Sequence, residues 1–311
     1  MGNLLTGTKT NKENKLIDAS ILDSINLYNY VTDKLTSTID SILQDEFQKD
    51  CQLFLANYRK IDIKFIREAK IFYILNSDHL NTYGIDNYDL DILGFSYNMD
   101  NIFRERFIIP IIDLNNKVIG MSGYDYDSDI KYLFAKTEFF DKRNSLYNKQ
   151  NLTSIINSKI GILVEGFFDS IRLNQMGFNN NVSLMGTMLF PYQKTMLQRI
   201  EGLIEIPDSD KVGKDALRYW NKALKKKTAI IYLPDGIKDI DMYFKYGIFD
   251  MELAERVVDR EIMEEENKNY IIEYNEEMTD RKNKFCTLYN KIKSDISSPF
   301  YMNYKEYYLK L

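Results

Sequence analysis

The spacing of hydrophobic and polar positions changes along the chain, and the changes predict where its elements lie. From residues 16 to 80 apolar residues recur at helical spacing, as in LIDASILDSINLYNYVTDKL, which predicts a helical N-terminal segment. From about residue 100, the stretch RERFIIPIIDLNNKVIGMSGYDYD predicts a strand, a tight turn at Asn115 and Asn116, and a second strand. The block that contains this hairpin is expected to be α+β.

Residues 159–245 alternate between apolar runs and segments with helical spacing. The runs KIGILVEG, NNVSLMG, GLIEIPDSD and TAIIYLPDG predict four strands, with helices between them. Gly177 is expected to end the first of these helices and Pro191 to begin the second. Strands that alternate with helices form parallel sheets, so we expect a parallel four-stranded sheet. Helical spacing returns after about residue 239 and predicts a helical C-terminal region.

Composition narrows the chemistry that is available. The chain has 311 residues, 44% of them hydrophobic, and a net charge of −5, so it is globular and lacks an overall basic character. It has a single histidine, His79, and two distant cysteines, Cys51 and Cys286, which cannot assemble a Cys/His zinc site. Catalysis would therefore depend on carboxylates, lysines or metals. No signal-peptide core and no run of about 18 apolar residues are present, which predicts a soluble, cytoplasmic protein without membrane contact.

Three carboxylates follow predicted strands. Glu165 ends the first strand, and Asp208 and Asp210 follow the third. Parallel strands would bring all three to one edge, where their mutual repulsion favours a hard cation such as Mg²⁺. Each motif alone is common in turns and helix caps. Their order on strands of one βαβ array favours a metal site.

These motifs resemble the Toprim domain, and the DnaG-type bacterial primases among its families. LVEGFFDSIRLNQMGF, VSLMGT, PDSDKVGKDALR and YLPDGIKDIDMYF are similar to the Toprim segments of those primases, with Asp239 and Asp241 as the matching acids of the last segment. FRERFIIPIIDLNNKVIGMSGYDYDSDIKYLFAKTEFFDKRNSLYN resembles the primase subdomain that precedes Toprim. The resemblance covers roughly residues 50–245.

The resemblance implies a domain order and a set of site residues. We expect a helical N-terminal segment at 1–50, an α+β primase N-terminal subdomain at 51–155, a Toprim domain at 156–248 and a helical C-terminal region at 249–311. The implied metal ligands are Glu165, Asp208, Asp210, Asp169 and Asp239. The first three would be catalytic, with Glu165 either a ligand or a base, and Mg²⁺ or Mn²⁺ would be the cofactor. Template and nucleotide phosphates would be held by Arg104, Arg106, Lys131, Lys142 and Lys211.

The implied activity is DNA primase: metal-dependent synthesis of short RNA primers on single-stranded DNA during replication. Ribonucleoside triphosphates and the DNA template would be its partners, together with a replicative helicase docked on the C-terminal helices. The N-terminal part has no cysteine–histidine cluster like the zinc module of these primases, and the composition suggests a phage or plasmid protein. A Toprim-type nuclease and a non-catalytic helicase-docking protein are the alternatives. The KALKKK run (Lys222, Lys225, Lys226, Lys227) could contact nucleic acid or simply end a helix.

Overall fold

The computed structural model describes residues 7–97, 100–135, 140–245, 266–299, 301 and 304–309. The chain divides into two compact units. The first comprises Met1–Gln48, Lys70–Ile111 and Lys117–Asp141, and the second comprises Lys49–Ala69, Ile112–Asn116 and Lys142–Leu311.

The elements follow one another as a helical segment, an antiparallel block and an alternating βα block. They are α1 (Gly7–Gln44), α2 (Glu46–Arg59), α3 (Ile63–Glu68), β1 (Phe72–Ile74), α4 (Ser77–Asn81), α5 (Asn87–Ile92), β2 (Ser96–Tyr97), β3 (Asp100–Asn101), β4 (Arg106–Ile112), β5 (Val118–Tyr124), β6 (Tyr132–Phe134), α6 (Leu152–Asn157), β7 (Ile160–Val164), α7 (Phe167–Gln175), β8 (Asn181–Ser183), α8 (Pro191–Leu197), β9 (Gly202–Glu205), α9 (Lys211–Leu224), β10 (Lys227–Tyr232), α10 (Ile240–Lys245), α11 (Glu266–Ser297) and β11 (Tyr304–Tyr308). Two short 3₁₀ helices, Lys142–Asn144 and Lys149–Asn151, precede α6.

The first unit is built around an antiparallel sheet in the order β1-β4-β5-β6. Helix α1 buries an apolar stripe that includes Val31, Leu35 and Ile39, at the i, i+4 spacing of one helix face. The Tyr28 hydroxyl donates to the Ile119 carbonyl at 2.8 Å, which ties α1 to β5. The predicted hairpin turn is confirmed, because Asn116 has φ of 61° between β4 and β5.

The second unit is built around a parallel sheet in the order β11-β10-β9-β7-β8. One face packs with α11 through Phe285 and Ile292, and the other packs with α9 through Trp220. The predicted helix ends are confirmed: Gly177 follows α7 with φ of 91°, and Pro191 is the first residue of α8. The parallel pairing of all five strands also confirms the predicted parallel sheet.

The expected number of strands was wrong, because the sheet has five rather than four. The fifth strand, β11, lies in the region predicted to be wholly helical and pairs in parallel with β10. Its sequence, YKEYY, is rich in tyrosine, which favours strands, and its Tyr307 is buried against the core shared with α11. The strand has five residues and follows the long helix α11, so the helical spacing of apolar residues in α11 led to a prediction of helix for the whole region.

Within the residues that the structure describes, no helix is long and apolar enough to cross a membrane. Residues 246–265 of the predicted C-terminal helices lie outside the described residues. The domain boundaries expected after residues 50, 155 and 248 stay a prediction.

Candidate functional site

The ends of β7 and β9 bring two of the predicted acids together. The two strands are neighbours in parallel register, with Leu163 opposite Glu205. The chain therefore leaves both strands at the same edge of the sheet. There the backbone N–H of Asp208 donates to Glu165 Oε1 at 3.1 Å, and the side chain of Glu165 is buried. The predicted juxtaposition of these motifs is present.

Gly213 is required for this close approach. A Cβ at Gly213 would lie 2.3 Å from the Asp208 carbonyl oxygen and 2.9 Å from Glu165 Oε1. No larger residue fits there without displacing the loop after β9. Asp210 caps α9, since its Oδ1 accepts from the Gly213 N–H at 2.9 Å, and it is exposed at the sheet edge. Gly213, in the first turn of α9, is therefore a contact residue of the acidic loop.

The electrostatics at this edge favour a cation. Burial, followed by the neighbouring charge of Asp208, raises the pKa of Glu165 to about 7. Burial also raises the pKa of Asp208 to about 6, although the ammonium of Lys238 opposes the rise. Lys238 Nζ lies 3.2 Å from Asp208 Oδ2, and its side chain is 57% exposed. Lys238, which sequence reasoning did not single out, thus supplies the positive charge nearest to Asp208.

Asp169 and Asp239 hold the backbone around the acidic edge. Asp169 Oδ2 accepts from the Gly166 N–H at 3.0 Å, and its Oδ1 accepts from the Asp241 N–H at 3.1 Å. Asp239 Oδ1 accepts from the Met242 N–H at 2.7 Å, near the start of α10. Burial raises the pKa of Asp169 well above its usual value, and the charge of Asp239 adds to the rise. Asp169 therefore connects the loop after β7 with the start of α10, and Asp239 holds the first turn of α10.

Asp241 belongs to a buried ion network. Arg172 is fully buried, and its Nε donates to Asp241 Oδ1 at 2.9 Å. The same guanidinium donates to the carbonyls of Lys60 and Arg59, each at 2.6 Å, and Arg59 also pairs with Asp241 Oδ2. Asp241, which the resemblance matched to a Toprim acid, therefore anchors α7 and the end of α2 through these two arginines. Its partners are distant in sequence, which is why the pattern alone did not reveal them.

The carboxylates suit a hard divalent cation in donor type and in charge. Oxygen donors from Glu165, Asp208 and Asp210 are the kind that Mg²⁺ and Mn²⁺ prefer. As the side chains stand, no group of three acidic, histidine or cysteine residues in the described ranges is close enough to hold a metal. Two effects keep the carboxylates apart: they repel one another, and Asp208 is paired with Lys238. The donor types of these residues suit such a cation, and its binding would require the exposed Lys238 side chain to leave Asp208.

The predicted phosphate-binding residues differ in how available they are. Arg104 is 69% exposed and pairs with the adjacent Glu105. Arg106 is mostly covered, donates to the Ile130 carbonyl at 3.0 Å and pairs with Asp125 at 3.6 Å, so it holds the β5–β6 connection. Lys131 is exposed in the same unit.

Two further predicted cations, Lys142 and Lys211, belong to the second unit. Lys142 Nζ donates to the Met185 carbonyl at 3.2 Å. Lys211 is exposed at the first residue of α9, directly after Asp210. The phosphate-binding role of the five cations stays a prediction.

Two families match the chain over the parts that carry these features. Residues 39–153 match the DNA primase catalytic core, N-terminal domain, and residues 162–244 match the Toprim-like family. The two matches together extend from α1 to α10 and include every predicted site residue.

Curated relatives are DNA primases. The DNA primase of Clostridium acetobutylicum is 37% identical over 152 residues, which are 46% of this chain and 25% of the relative. That of Rickettsia prowazekii is 35% identical over 157 residues, 47% of this chain and 26% of the relative. That of Rickettsia typhi is 30% identical over 224 residues, 66% of this chain and 37% of the relative. The chain thus spans about a quarter to a third of the length of these relatives.

Solved structures share the fold. One described as the DnaG primase catalytic domain bound to ssDNA has a TM-score of 0.62 and 23% identity, and covers 77% of this chain and 80% of its own. The structure of the DnaG catalytic core has a TM-score of 0.59 and 24% identity. The match covers 69% of this chain and 74% of the solved chain. These structures show the fold, and the two family matches together with the curated relatives show that the chain belongs to the DnaG-type DNA primase family.

Proposed function

We propose that the protein synthesises short RNA primers on single-stranded DNA, as a DNA-directed RNA polymerase acting in replication. The observation that carries the proposal is the cluster of carboxylates where β7 and β9 end, in a chain that also matches the primase N-terminal domain. Nucleotidyl transfer requires charge neutralisation at the phosphates and an aligned 3′-hydroxyl. An acidic, partly buried edge that can hold a divalent cation suits that requirement.

The acids are proposed to act as a set around Mg²⁺ or Mn²⁺. Asp208, Asp210 and Glu165 would hold the ion, with Asp169 and Asp239 keeping the flanking loops in place. When bound, the cation lowers the pKa of the attacking hydroxyl and neutralises charge on the triphosphate. Glu165 also has the pKa of a proton acceptor near neutral pH. Glu165→Gln would separate the two roles, because the amide keeps an oxygen donor but cannot take a proton.

The cations are proposed to hold the phosphates of the DNA template and of the nucleotides. Arg104 and Lys131 are exposed in the first unit, and Lys211 is exposed at the start of α9. Exposed cations bind phosphates without first breaking a buried contact, whereas Arg106 and Lys142 are already engaged with the backbone. The expected ligands are single-stranded DNA and ribonucleoside triphosphates. A replicative helicase, docked on the C-terminal helices, completes the proposed set of partners.

A primer-synthesis assay tests the proposal. Wild-type protein is incubated with single-stranded DNA, labelled ribonucleotides and Mg²⁺ or Mn²⁺, and the RNA products are measured. We expect Asp208→Asn and Asp210→Asn each to lower the yield about 10²-fold or more, since metal-bound charge stabilisation provides several kcal/mol. Asp215→Asn is the matched control, because Asp215 is an exposed acid on α9 that pairs with the exposed Arg218.

Two results would contradict the proposal. Equal RNA yields from the wild type and the Asp208 and Asp210 variants would remove the acids from the mechanism. Cutting of DNA by the wild type in the absence of ribonucleotides, with no RNA made in their presence, would instead assign a Toprim-type nuclease.

A further inference from the structure

A second groove lies along the outer face of the parallel sheet. It has a volume of about 810 Å³ and runs beside α9, β10 and β11. None of the five acids of the candidate metal site contributes to its surface. Its lining residues are Lys214, Leu217, Arg218, Asn221, Lys225, Lys226, Tyr232 and Glu306.

Tyr232 lines the floor of this groove, and its ring stacks on Tyr308, which flanks the groove on the neighbouring strand β11. Tyr232 of β10 and Tyr308 of β11 are opposite each other in parallel register, and side chains in register point to the same face of a sheet. Their ring centroids are 5.2 Å apart with an interplanar angle of 27°. Glu306 accepts from both hydroxyls, at 3.3 Å from Tyr232 and 3.2 Å from Tyr308. Tyr308 remains 65% exposed, so a flat, oriented ring is presented to solvent.

The wall of the groove is a basic stripe on α9. Lys214, Arg218, Asn221 and Lys225 follow one another at i, i+4, i+7 and i+11, which is one face of a helix. Lys214 and Lys225 are exposed, and neither forms an ion pair with any residue that the structure describes. The two lysines are eleven positions apart, which is about 16 Å along the helix. That length spans several phosphates of one nucleic-acid strand, in which phosphates follow every ~3.4 Å in B-form.

The remaining lysines of the KALKKK run have other partners. Lys226 Nζ donates to the carbonyls of Leu197 and Ile200, at the end of α8. Lys227 Nζ donates to the Ile296 carbonyl at 3.2 Å, near the end of α11. These two lysines neutralise carbonyls at helix ends, as cations do at helix C-termini. Of the four lysines in the run, Lys225 is the one that combines an exposed side chain with a place in the groove.

We propose that this groove is a second binding site for single-stranded nucleic acid, separate from the catalytic edge. Phosphates would meet Lys214 and Lys225, and a base would stack on the exposed ring of Tyr308. Basic grooves with aromatic platforms bind single strands with little sequence preference, because every base has a flat face. Helix α9 begins directly after Asp210, so the groove begins about one turn from the acidic edge. Binding here does not depend on the proposed catalytic activity.

Binding of a fluorescein-labelled oligothymidylate, measured by anisotropy on the whole chain in EDTA, tests this site. EDTA prevents divalent ions from holding the strand at the acids. We expect Tyr308→Ala to weaken binding about fivefold or more, because loss of a stacked base has an effect of that size. Lys214→Ala/Lys225→Ala should weaken binding and reduce the slope of log K against log salt by about 1.4, since each lost contact with a single strand removes about 0.7.

The control variants remove the same residue types, two lysines or one tyrosine, at exposed positions outside the groove. Lys282→Ala/Lys293→Ala changes two exposed lysines of α11, the helix that packs on the opposite face of the sheet. Tyr88→Ala removes a tyrosine that is 61% exposed in the other unit. Both controls, and Asp208→Asn, should bind as the wild type does, so loss of primer synthesis and loss of this site are distinguishable. Circular dichroism and the thermal midpoint verify that each variant is folded.

A second readout locates the contact directly. An oligonucleotide that carries 5-iodouracil should crosslink to a peptide containing Tyr308 after irradiation. The proposal is overturned if the wild type does not bind the oligonucleotide in EDTA, or if the groove variants bind within twofold of the controls. Polyglutamate carries negative charge but no bases. The proposal is also overturned if polyglutamate binds as tightly as the oligothymidylate and if Tyr308→Ala changes neither affinity.

Discussion

Glu205 is a buried carboxyl group whose ionisation should make the stability of the fold depend strongly on pH. It ends β9, its side chain is fully buried, and neither of its carboxyl oxygens has a hydrogen-bond partner in the described residues. Burial raises its pKa from 4.5 to about 8, although the charge of Lys226 opposes the rise. The folded protein therefore keeps the proton on Glu205 at neutral pH, whereas the unfolded chain releases it.

The sign of the effect follows from which state binds the proton. Between the unfolded pKa near 4.5 and the folded pKa near 8, the folded state holds one more proton than the unfolded state. The free energy of unfolding must then fall as pH rises, by about 1.4 kcal/mol for each pH unit. From about pH 5 to about pH 8 the loss is about 3 kcal/mol. Lys226, whose pKa burial lowers to about 8, begins to lose its proton only at the upper edge of this window, where it offsets the trend by about 0.4 kcal/mol.

Glu205→Gln tests this reasoning, because the amide occupies the same volume but does not titrate. The free energy of unfolding is measured by urea denaturation for both proteins at about pH 5 and about pH 8. From about pH 5 to about pH 8, the free energy of unfolding of the variant should rise by about 3 kcal/mol relative to that of the wild type. The other acids titrate alike in both proteins, so their contributions cancel in this difference. A relative change of less than about 1 kcal/mol would refute the assignment of a neutral buried Glu205.

Three other substitutions test contacts of the second unit. Arg172→Met leaves the buried carboxylate of Asp241 without its main partner and should destabilise the fold by about 3–5 kcal/mol, measured by urea denaturation. An unchanged midpoint would contradict the role of the ion network. Gly213→Ala forces the backbone of Asp208 away and should lower primer synthesis about 10²-fold in a protein that remains folded, since a shift near 1 Å can have that effect. Full activity would mean that the loop position is not critical. Lys238→Met removes the cation from Asp208 and should tighten Mn²⁺ binding about fivefold in calorimetry, because repulsion at a few ångströms is about 1 kcal/mol even in water. Weaker Mn²⁺ binding would show that the lysine supports the site instead.

Local patterns predicted the elements well. The apolar runs of the βα block became parallel strands, and Asn116, Gly177 and Pro191 lie in the turn and helix-end positions that their backbone preferences favour. The strand order then brought Glu165 and Asp208 to one edge, which is a consequence of parallel pairing.

The parts that the sequence did not reveal depend on long-range contacts. The ion network joins Arg59 and Arg172 to Asp241, and the pairs are separated by 182 and 69 residues. Lys238 was not distinguishable from an ordinary exposed lysine without the fold. The strand β11 is stabilised by pairing with β10 and by burial of Tyr307, and neither partner is near it in sequence. Such contacts have no local periodicity by which they could be recognised.

Localised cleavage by Fe²⁺ tests the central claim, that the acids where β7 and β9 end hold a divalent cation. Fe²⁺ bound in place of Mg²⁺ generates hydroxyl radicals with ascorbate and peroxide, and these cut the chain near the ion. We predict cuts close to Glu165 and to residues 208–210, read from fragment masses, which excess Mg²⁺ and Asp208→Asn both suppress. Cuts that map elsewhere, or that persist unchanged in Asp208→Asn, would contradict the account.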